Sequence, residues 1–247
     1  MKLTVVGSAP AYTSRPGHAS SCYLVEHGST AIVLDFGQGA FSELWRYLSP
    51  AEVSAIVISH MHADHNVDLI PLRHWVRYEN RGYGPALFGP RELRQRFGEF
   101  QADPEFLADL RGESLDSSSI TVGDVRLETA RVTHIPDSFA IRVSPADGKG
   151  PGLVYSGDCG VADDLLPLIR SGDTLLCEAA FGTQREVPGI HLTAAEAASV
   201  ADRRSAERLI LTHVQDRHDV QLVREAAESI FDGQVAVAEP AMVIPIA

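Results

Sequence analysis

The run Ser59-His60-Met61-His62-Ala63-Asp64-His65 places three histidines and an aspartate within six residues. Imidazole nitrogen and carboxylate oxygen are the donors that Zn²⁺ and comparable divalent ions take. His60 and His62 stand at i and i+2, which turns both rings to one side of an extended strand end. Asp64 and His65 follow where a helix is expected to start, turned toward the same cavity. Several polar rings buried here without a common partner would be costly, so the cluster reads as a metal-binding turn.

One such cluster cannot complete two metal shells. His134, in Arg131-Val132-Thr133-His134, Asp158, in Tyr155-Ser156-Gly157-Asp158, and His213, in Leu211-Thr212-His213, each end an expected strand. His191 lies in a loop, in Gly189-Ile190-His191-Leu192-Thr193. A lone histidine at a strand end is more often structural or exposed. Recurrence of the same placement after the first cluster reverses that expectation and suggests two shells. His18, His27, His74 and His218 match no motif and read as surface or core histidines; His18 stands out only because loop 7–21 is glycine- and serine-rich and suits a substrate mouth.

The elements expected to position these residues alternate. Short apolar runs bounded by turn residues predict strands at 2–6, 22–26, 31–34 and 55–59, then at 119–121, 125–130, 139–143, 153–156, 174–177 and 209–212. Helices are expected near 40–48, from 64 through 77 or beyond, over 91–110, and at 161–170, 193–203 and 220–231. Thr193 and Glu196 form a T-x-x-E capping box that fixes the start of one helix. Two β-rich halves, each followed by helices, predict an α+β fold of two sheets packed face to face with helices outside, in a single domain over residues 1–247.

Composition narrows the function classes. The formal net charge is -12, with 33 acidic and 21 basic residues, so a polyanion such as tRNA or duplex DNA would meet net repulsion unless a basic patch were isolated on one face. The densest basic stretch, 91–96, contains Glu92 and reads as a solvated helix face. No apolar run approaches the roughly 20 residues of a membrane span, and nothing at the N-terminus reads as a signal peptide. Cys22, Cys159 and Cys177 form no C-x-x-C pair and read as free thiols. A cytoplasmic protein is expected.

On His60-x-His62-x-Asp64-His65, His134, Ser156-Gly157-Asp158, Cys177-Glu178-Ala179, His191-x-Thr193 and Leu211-Thr212-His213, the chain resembles the metallo-β-lactamase superfamily, and within it the tRNase Z-like phosphodiesterase branch. The resemblance implies a four-layer αββα sandwich of two mixed β-sheets. It also implies two divalent metal ions, Zn²⁺ first with Mn²⁺ or Fe²⁺ also accepted: one held by His60, His62 and His134, the other by Asp64, His65 and His213, with Asp158 bridging. A water bridging such a pair would be hydroxide near neutral pH. Asp35, in Leu34-Asp35-Phe36-Gly37, resembles a carboxylate that orients a ligand histidine. His191, supported by Glu178, resembles a substrate-facing histidine that stabilises or protonates a departing oxygen, and Asp64 would also orient the nucleophile. Cys159 stands where the family turn often carries threonine and is expected to be packed.

Members of this branch that mature tRNA carry an arm between the positions matching His134 and Asp158. Here that interval is 24 residues (158 − 134), and expected strands and turns fill nearly all of it. The expected function is therefore that of a dinuclear phosphodiesterase on small substrates such as cyclic nucleotides. The alternatives are a lactone or thioester hydrolase, an RNA 3′-end-processing endonuclease, and a non-catalytic binding protein on the same fold, against which the intact ligand set speaks. A homodimer is implied by the resemblance.

Overall fold

Strict two-residue alternation decides which face each strand buries. The computed structural model describes residues 1–80, 84–115 and 119–246. In chain order the first half supplies strands β1 (Lys2–Gly7), β2 (Cys22–His27), β3 (Thr30–Leu34), β4 (Ala55–Val57) and β5 (Ala86–Phe88). The second half supplies β6 (Ser119–Val122), β7 (Val125–Val132), β8 (Ser138–Pro145), β9 (Leu153–Tyr155), β10 (Thr174–Glu178), β11 (Arg208–Thr212), β12 (Gln234–Val237) and β13 (Val243–Pro245). The α-helices are α1 (Ala40–Leu44), α2 (Ala63–Asn66), α3 (Leu69–Tyr78), α4 (Leu93–Gln101), α5 (Ala194–Arg203) and α6 (Val220–Glu228).

The strands form a six-stranded sheet in the order β13-β1-β2-β3-β4-β5 and a seven-stranded sheet in the order β12-β11-β10-β9-β8-β7-β6. Both mix parallel and antiparallel pairs. Between the sheets, Tyr23, Val25, Ile32, Leu34 and Val57 from one meet Ile141, Val143, Tyr155, Leu176 and Ile210 from the other. The intervening residues point the opposite way, as the pleat requires. Leu24, Val33 and Ile56 pack with α1, α3 and α4, whereas Val154, Leu175, Leu209 and Leu211 pack with α5 and α6. The layers are therefore helix, sheet, sheet, helix, as expected.

Five expected helices differ, three of them for a local reason. The run from Asp64 is two helices, α2 and α3, broken at Val67–Asp68. Pro71 has no N–H for the Val67 carbonyl and fits only the first turn of α3, where that donor is not required. At the break the Asp68 carboxylate accepts the Phe41 N–H at 2.8 Å, and Asp68 N–H donates to Phe36 O at 3.1 Å. The stretch 91–110 is helical only through α4, which ends on Ala102 in the left-handed region (φ 50°). Beyond it, side chains replace helical bonds: Arg94 donates to Leu107 O and Leu110 O, and Arg73 to Phe106 O. Residues 161–170, interrupted by Pro167, form only a 3₁₀ turn over Ala162–Leu165. Helix α1 ends at Leu44 and α6 at Glu228, each short of the expected bound. By contrast, α5 starts where the capping box predicts, with Glu196 N–H donating to Thr193 Oγ1 and Thr193 N–H donating to Glu196 Oε2.

Candidate metal centre

Strand direction brings the chemistry to one edge. Strands β9, β10 and β11 are parallel, and β7, two antiparallel steps from β9, runs the same way. Their C-terminal ends carry Asp158, Glu178, His213 and His134. The facing sheet contributes the end of β4, where the chain leaves through Ser59, His60 and His62 into α2 with Asp64 and His65. Two glycines permit the close approach. Gly157 has φ 57°, and a Cβ there would lie 2.9 Å from Phe139 O and 3.1 Å from Ser59 Cβ. A Cβ on Gly37 would lie 2.0 Å from the Asp64 carbonyl oxygen. Asp35 and His213, neither of them glycine, also take left-handed conformations, with φ 56° and 58°. Such conformations persist where surrounding structure enforces them.

The donor atoms fall into two groups. In the first, His60 Nε2 is 3.0 Å from His62 Nδ1, and His134 Nε2 is 3.3 Å from the same atom. Asp158 Oδ2 lies 3.5 Å from His60 Nε2 and 3.7 Å from His134 Nε2. In the second, His65 Nε2 is 3.3 Å from His213 Nε2, while Asp64 Oδ2 lies 3.1 Å from His213 and 3.5 Å from His65. Asp158 Oδ1 lies 3.4 Å from His65 and 3.7 Å from His213. Asp158 thus offers one oxygen to each group. A tetrahedral ion with donors at about 2.0–2.1 Å leaves them roughly 3.3 Å apart, so both groups have the right edge lengths.

Hydrogen-bond bookkeeping makes the same point. His134 Nδ1 lies 2.7 Å from Ile190 O, which can only accept, so this nitrogen carries the proton. Tyr155 OH donates to Asp35 Oδ2 at 2.6 Å, and Ser59 Oγ donates to it at 2.8 Å. Since the Ser59 proton is committed to Asp35, its oxygen accepts from His60 Nδ1 at 3.0 Å. His65 Nδ1 donates to the same carboxylate at 2.6 Å. In their neutral forms His60, His65 and His134 therefore aim bare Nε2 lone pairs inward, at one another's neighbours and at Asp158. Converging lone pairs repel unless a cation lies among them. Burial lowers the pKa of His60, His62 and His134, which favours the neutral form that binds metal. Asp158 is 2% exposed and its Oδ1 has no hydrogen-bond partner among the described residues. Burial by itself raises its carboxyl pKa, but His213, His65 and His60 together hold it well below the usual range. These residues fit two divalent ions.

Next to both groups stands a third feature. His191 Nδ1 is 2.9 Å from Glu178 Oε1, and its ring centre lies 5.3 Å from that of His134 and 5.7 Å from that of His213. Glu178 is buried and fixed by two backbone amides: Cys159 N–H donates to Oε1 and Ala180 N–H to Oε2, each at 3.0 Å. Burial lowers the His191 pKa, but the hydrogen bond and charge of Glu178, with Asp158, outweigh it and raise the net value.

Comparison with known proteins agrees with this geometry. The sequence profile of the family described as "Beta-lactamase superfamily domain" matches residues 31–214, a span that includes every site residue above. An uncharacterized protein of Mycobacterium tuberculosis is 33% identical over 245 residues, covering 95% of this chain and 88% of the relative. The chain belongs to the β-lactamase superfamily. This metallo-hydrolase is also similar to the probable metallo-hydrolase YhfI of Bacillus subtilis, 24% identical over 98% of this chain and 99% of the relative. The crystal structure of YhfI superposes with a TM-score of 0.87 at 23% identity, covering 98% of each chain. Human tRNase Z, short form, superposes with a TM-score of 0.76 at 25% identity over 100% of both chains. The chain is a metal-dependent hydrolase with the metallo-β-lactamase fold.

All the residues singled out in the sequence for this metallo-hydrolase converge: His60, His62, Asp64, His65, His134, Asp158 and His213 in the two groups, Glu178 and His191 beside them. Asp158, His191 and His213 also present donor atoms within 4.8 Å of one another, a third grouping the sequence did not suggest. Asp35 contacts His65 as the resemblance implied. Cys159 is buried, with burial pushing its thiol pKa up to about 12. His74 stacks on Tyr78, and His218 Nε2 donates to Ala180 O at 3.1 Å. His18 is half-buried and outside the donor groups.

Sequence reasoning missed Ser59, Tyr155 and Asn66. Asn66 Nδ2 donates to His62 O at 2.7 Å and His60 O at 3.2 Å, pinning the turn that carries both histidines. A polar residue directly after the His-Asp motif was the signal for Asn66. Tyr155 is brought to Asp35 only by the packing of the two sheets.

Proposed function

We propose that this chain is a dinuclear phosphodiesterase acting on small phosphodiesters such as cyclic nucleotides. The observation that carries the reading is the Glu178–His191 pair, 2.9 Å apart, placed against both donor groups. Glu178 fixes Nδ1 and leaves Nε2 of His191 to hold a proton toward a departing oxygen. Asp64 belongs to the second group and is also proposed to orient the attacking water. Divalent ions held by the two groups, Zn²⁺ first and Mn²⁺ or Fe²⁺ as alternatives, would supply Lewis acidity and screen phosphoryl charge.

Similarity to tRNase Z supports phosphodiester chemistry, whereas two features favour a small substrate over tRNA. Between His134 and Asp158 the chain is occupied by β8, a turn and β9. The net charge is -12. The same reading carries a cytoplasmic homodimer, which light scattering can test for assembly.

Zinc- or manganese-loaded protein is expected to hydrolyse bis(p-nitrophenyl) phosphate and cyclic AMP. Clear turnover of lactones or thioesters with none on any phosphodiester would replace this reading with acyl hydrolysis. Salt-sensitive tRNA binding with cleavage would replace it with RNA processing.

A further inference from the structure

The outward ring nitrogens of His60, His65 and His134 each have a partner: Ser59 Oγ, Asp35 Oδ2 and Ile190 O. His213 differs. Its Nε2 faces Asp64 Oδ2 at 3.1 Å and His65 Nε2 at 3.3 Å. Its Nδ1 is enclosed and meets no hydrogen-bond partner among the described residues. An unmet buried N–H is costly, and a ligand histidine commonly donates its second N–H to a carboxylate, a carbonyl or a water.

His213 also lines a small cavity, together with Ser8, Arg15, Thr212, Ala238 and Glu239, and three valines close the rest of it. The room inside is about 10 Å³, close to that of one water and too small for an organic ligand. Ser8 Oγ gives its proton to Ala238 O at 3.0 Å, which leaves the hydroxyl oxygen free to accept. Thr212 Oγ1 is taken by Tyr23 OH at 2.6 Å. Arg15 Nε holds Asp216 Oδ1 at 3.2 Å, but Arg15 Nη1 stands 3.8 Å from Glu239 Oε1. Polar groups at that separation are commonly joined by a water. With His213 Nδ1, the lining therefore offers two donors and two acceptors, the two to four partners that a buried water needs.

We infer that one ordered water occupies this cavity, accepts His213 Nδ1–H and donates to Ser8 Oγ and Glu239, with Arg15 closing it from solvent. Ser8, Arg15 and Glu239 are thereby positioning residues. They act through the water to hold His213 in the tautomer that leaves Nε2 bare for an ion, and to fix the plane of the ring. Asp216 anchors Arg15, so loop 13–15 reaches the second donor group by this route. The inference rests on His213 as a metal ligand and not on the phosphodiesterase reading.

Crystals of the zinc-loaded protein are expected to show one water about 2.7–3.2 Å from His213 Nδ1. A side-chain partner at Nδ1, or no density in the cavity, overturns the inference. Ser8→Val and Ser8→Thr share a shape and differ in the hydroxyl, so any crowding is common to both. Ser8→Val is expected to weaken the ion held by Asp64, His65 and His213 by about 10- to 100-fold in chelator competition, with the ion of the His60 group unchanged. Ser8→Thr is expected to bind both ions as the wild type does. Equal affinities in the two variants overturn the positioning role. Should Ser8→Val fail to fold, as melting of the metal-free protein reports, Glu239→Ala and Glu239→Gln make the same comparison, because glutamine keeps an acceptor oxygen; equal affinities there overturn it likewise. An ion on the His60 group alone, with the water in place, overturns His213 as a ligand and the positioning role with it. The water and the Val–Thr difference, in a protein that cleaves acyl esters and no phosphodiester, support the inference and remove only the phosphodiesterase reading.

Discussion

Asp35 Oδ2 lies 2.6 Å from His65 Nδ1, and the Ser59 hydroxyl that donates to the same oxygen accepts in turn from His60 Nδ1. One buried carboxylate therefore orients a histidine in each donor group: His65 directly, His60 through a hydroxyl. Tyr155 OH and Ser59 N–H fill its remaining positions.

Asp35→Asn is accordingly expected to weaken binding of both ions. Loss of such a supporting contact typically costs 10- to 100-fold in metal affinity. Ser59→Ala should weaken chiefly the ion held by the His60 group, and Ser59→Thr should restore it. Competition with a chromogenic chelator measures each step. Unchanged affinity for both ions in Asp35→Asn would remove the hub.

His191→Ala is expected to lower kcat by about 10²–10⁴-fold, the range for a positioned general acid, while two ions per chain are retained. Glu178→Gln should act in the same direction by loosening Nδ1. Elemental analysis of the variant discriminates the alternative grouping of Asp158, His191 and His213: a drop to one ion would make His191 a ligand.

Asp216 ties loop 13–15 to the segment after His213. Its carboxylate accepts Ser14 N–H at 2.6 Å and the Thr13 and Ser14 hydroxyls at 3.0 Å, with Arg15 Nε at 3.2 Å. The Ser14 amide is the main cause of a lowered pKa. A carboxyl depressed in the folded state adds stability that is fully present above its unfolded pKa, about 3.9, and is lost as pH falls through the lower folded value. Asp216→Asn should therefore be less stable than wild type at pH 7 by about 0.5–1 kcal/mol, as befits an exposed site. The gap should close in acid below about pH 4. A gap that persists undiminished at pH 2 would contradict the assignment.

All three cysteines are buried, and burial raises each thiol pKa, that of Cys159 to about 12. Only the thiolate reacts rapidly, so native protein should be almost inert to a thiol-specific disulfide reagent at pH 8. In guanidinium chloride three thiols per chain should titrate. Prompt reaction of one native thiol would contradict the burial.

The sequence by itself determined the donors and two of their supports, Asp35 and Glu178. His60 to His65 are contiguous, so residue type and strand-end spacing identify them without tertiary information, and alternation marks which strand faces are buried. Thr193 and Glu196 fix the start of α5 because a capping box is a purely local device. The resemblance implied which donors share a group; the tertiary structure decided which oxygen of Asp158 each group receives, Oδ2 for His60 and His134 and Oδ1 for His65 and His213, because that assignment is made where two sheets meet. It also decided that Tyr155 reaches Asp35, 120 residues away in sequence. The strands β5, β12 and β13 were illegible because each is a sheet edge paired on one side, defined by that neighbour rather than by a pattern of its own. The end of α4 was hidden for a similar reason: Arg94 and Arg73 satisfy the carbonyls of the returning chain, a substitution of side-chain for backbone bonds that no local periodicity reports.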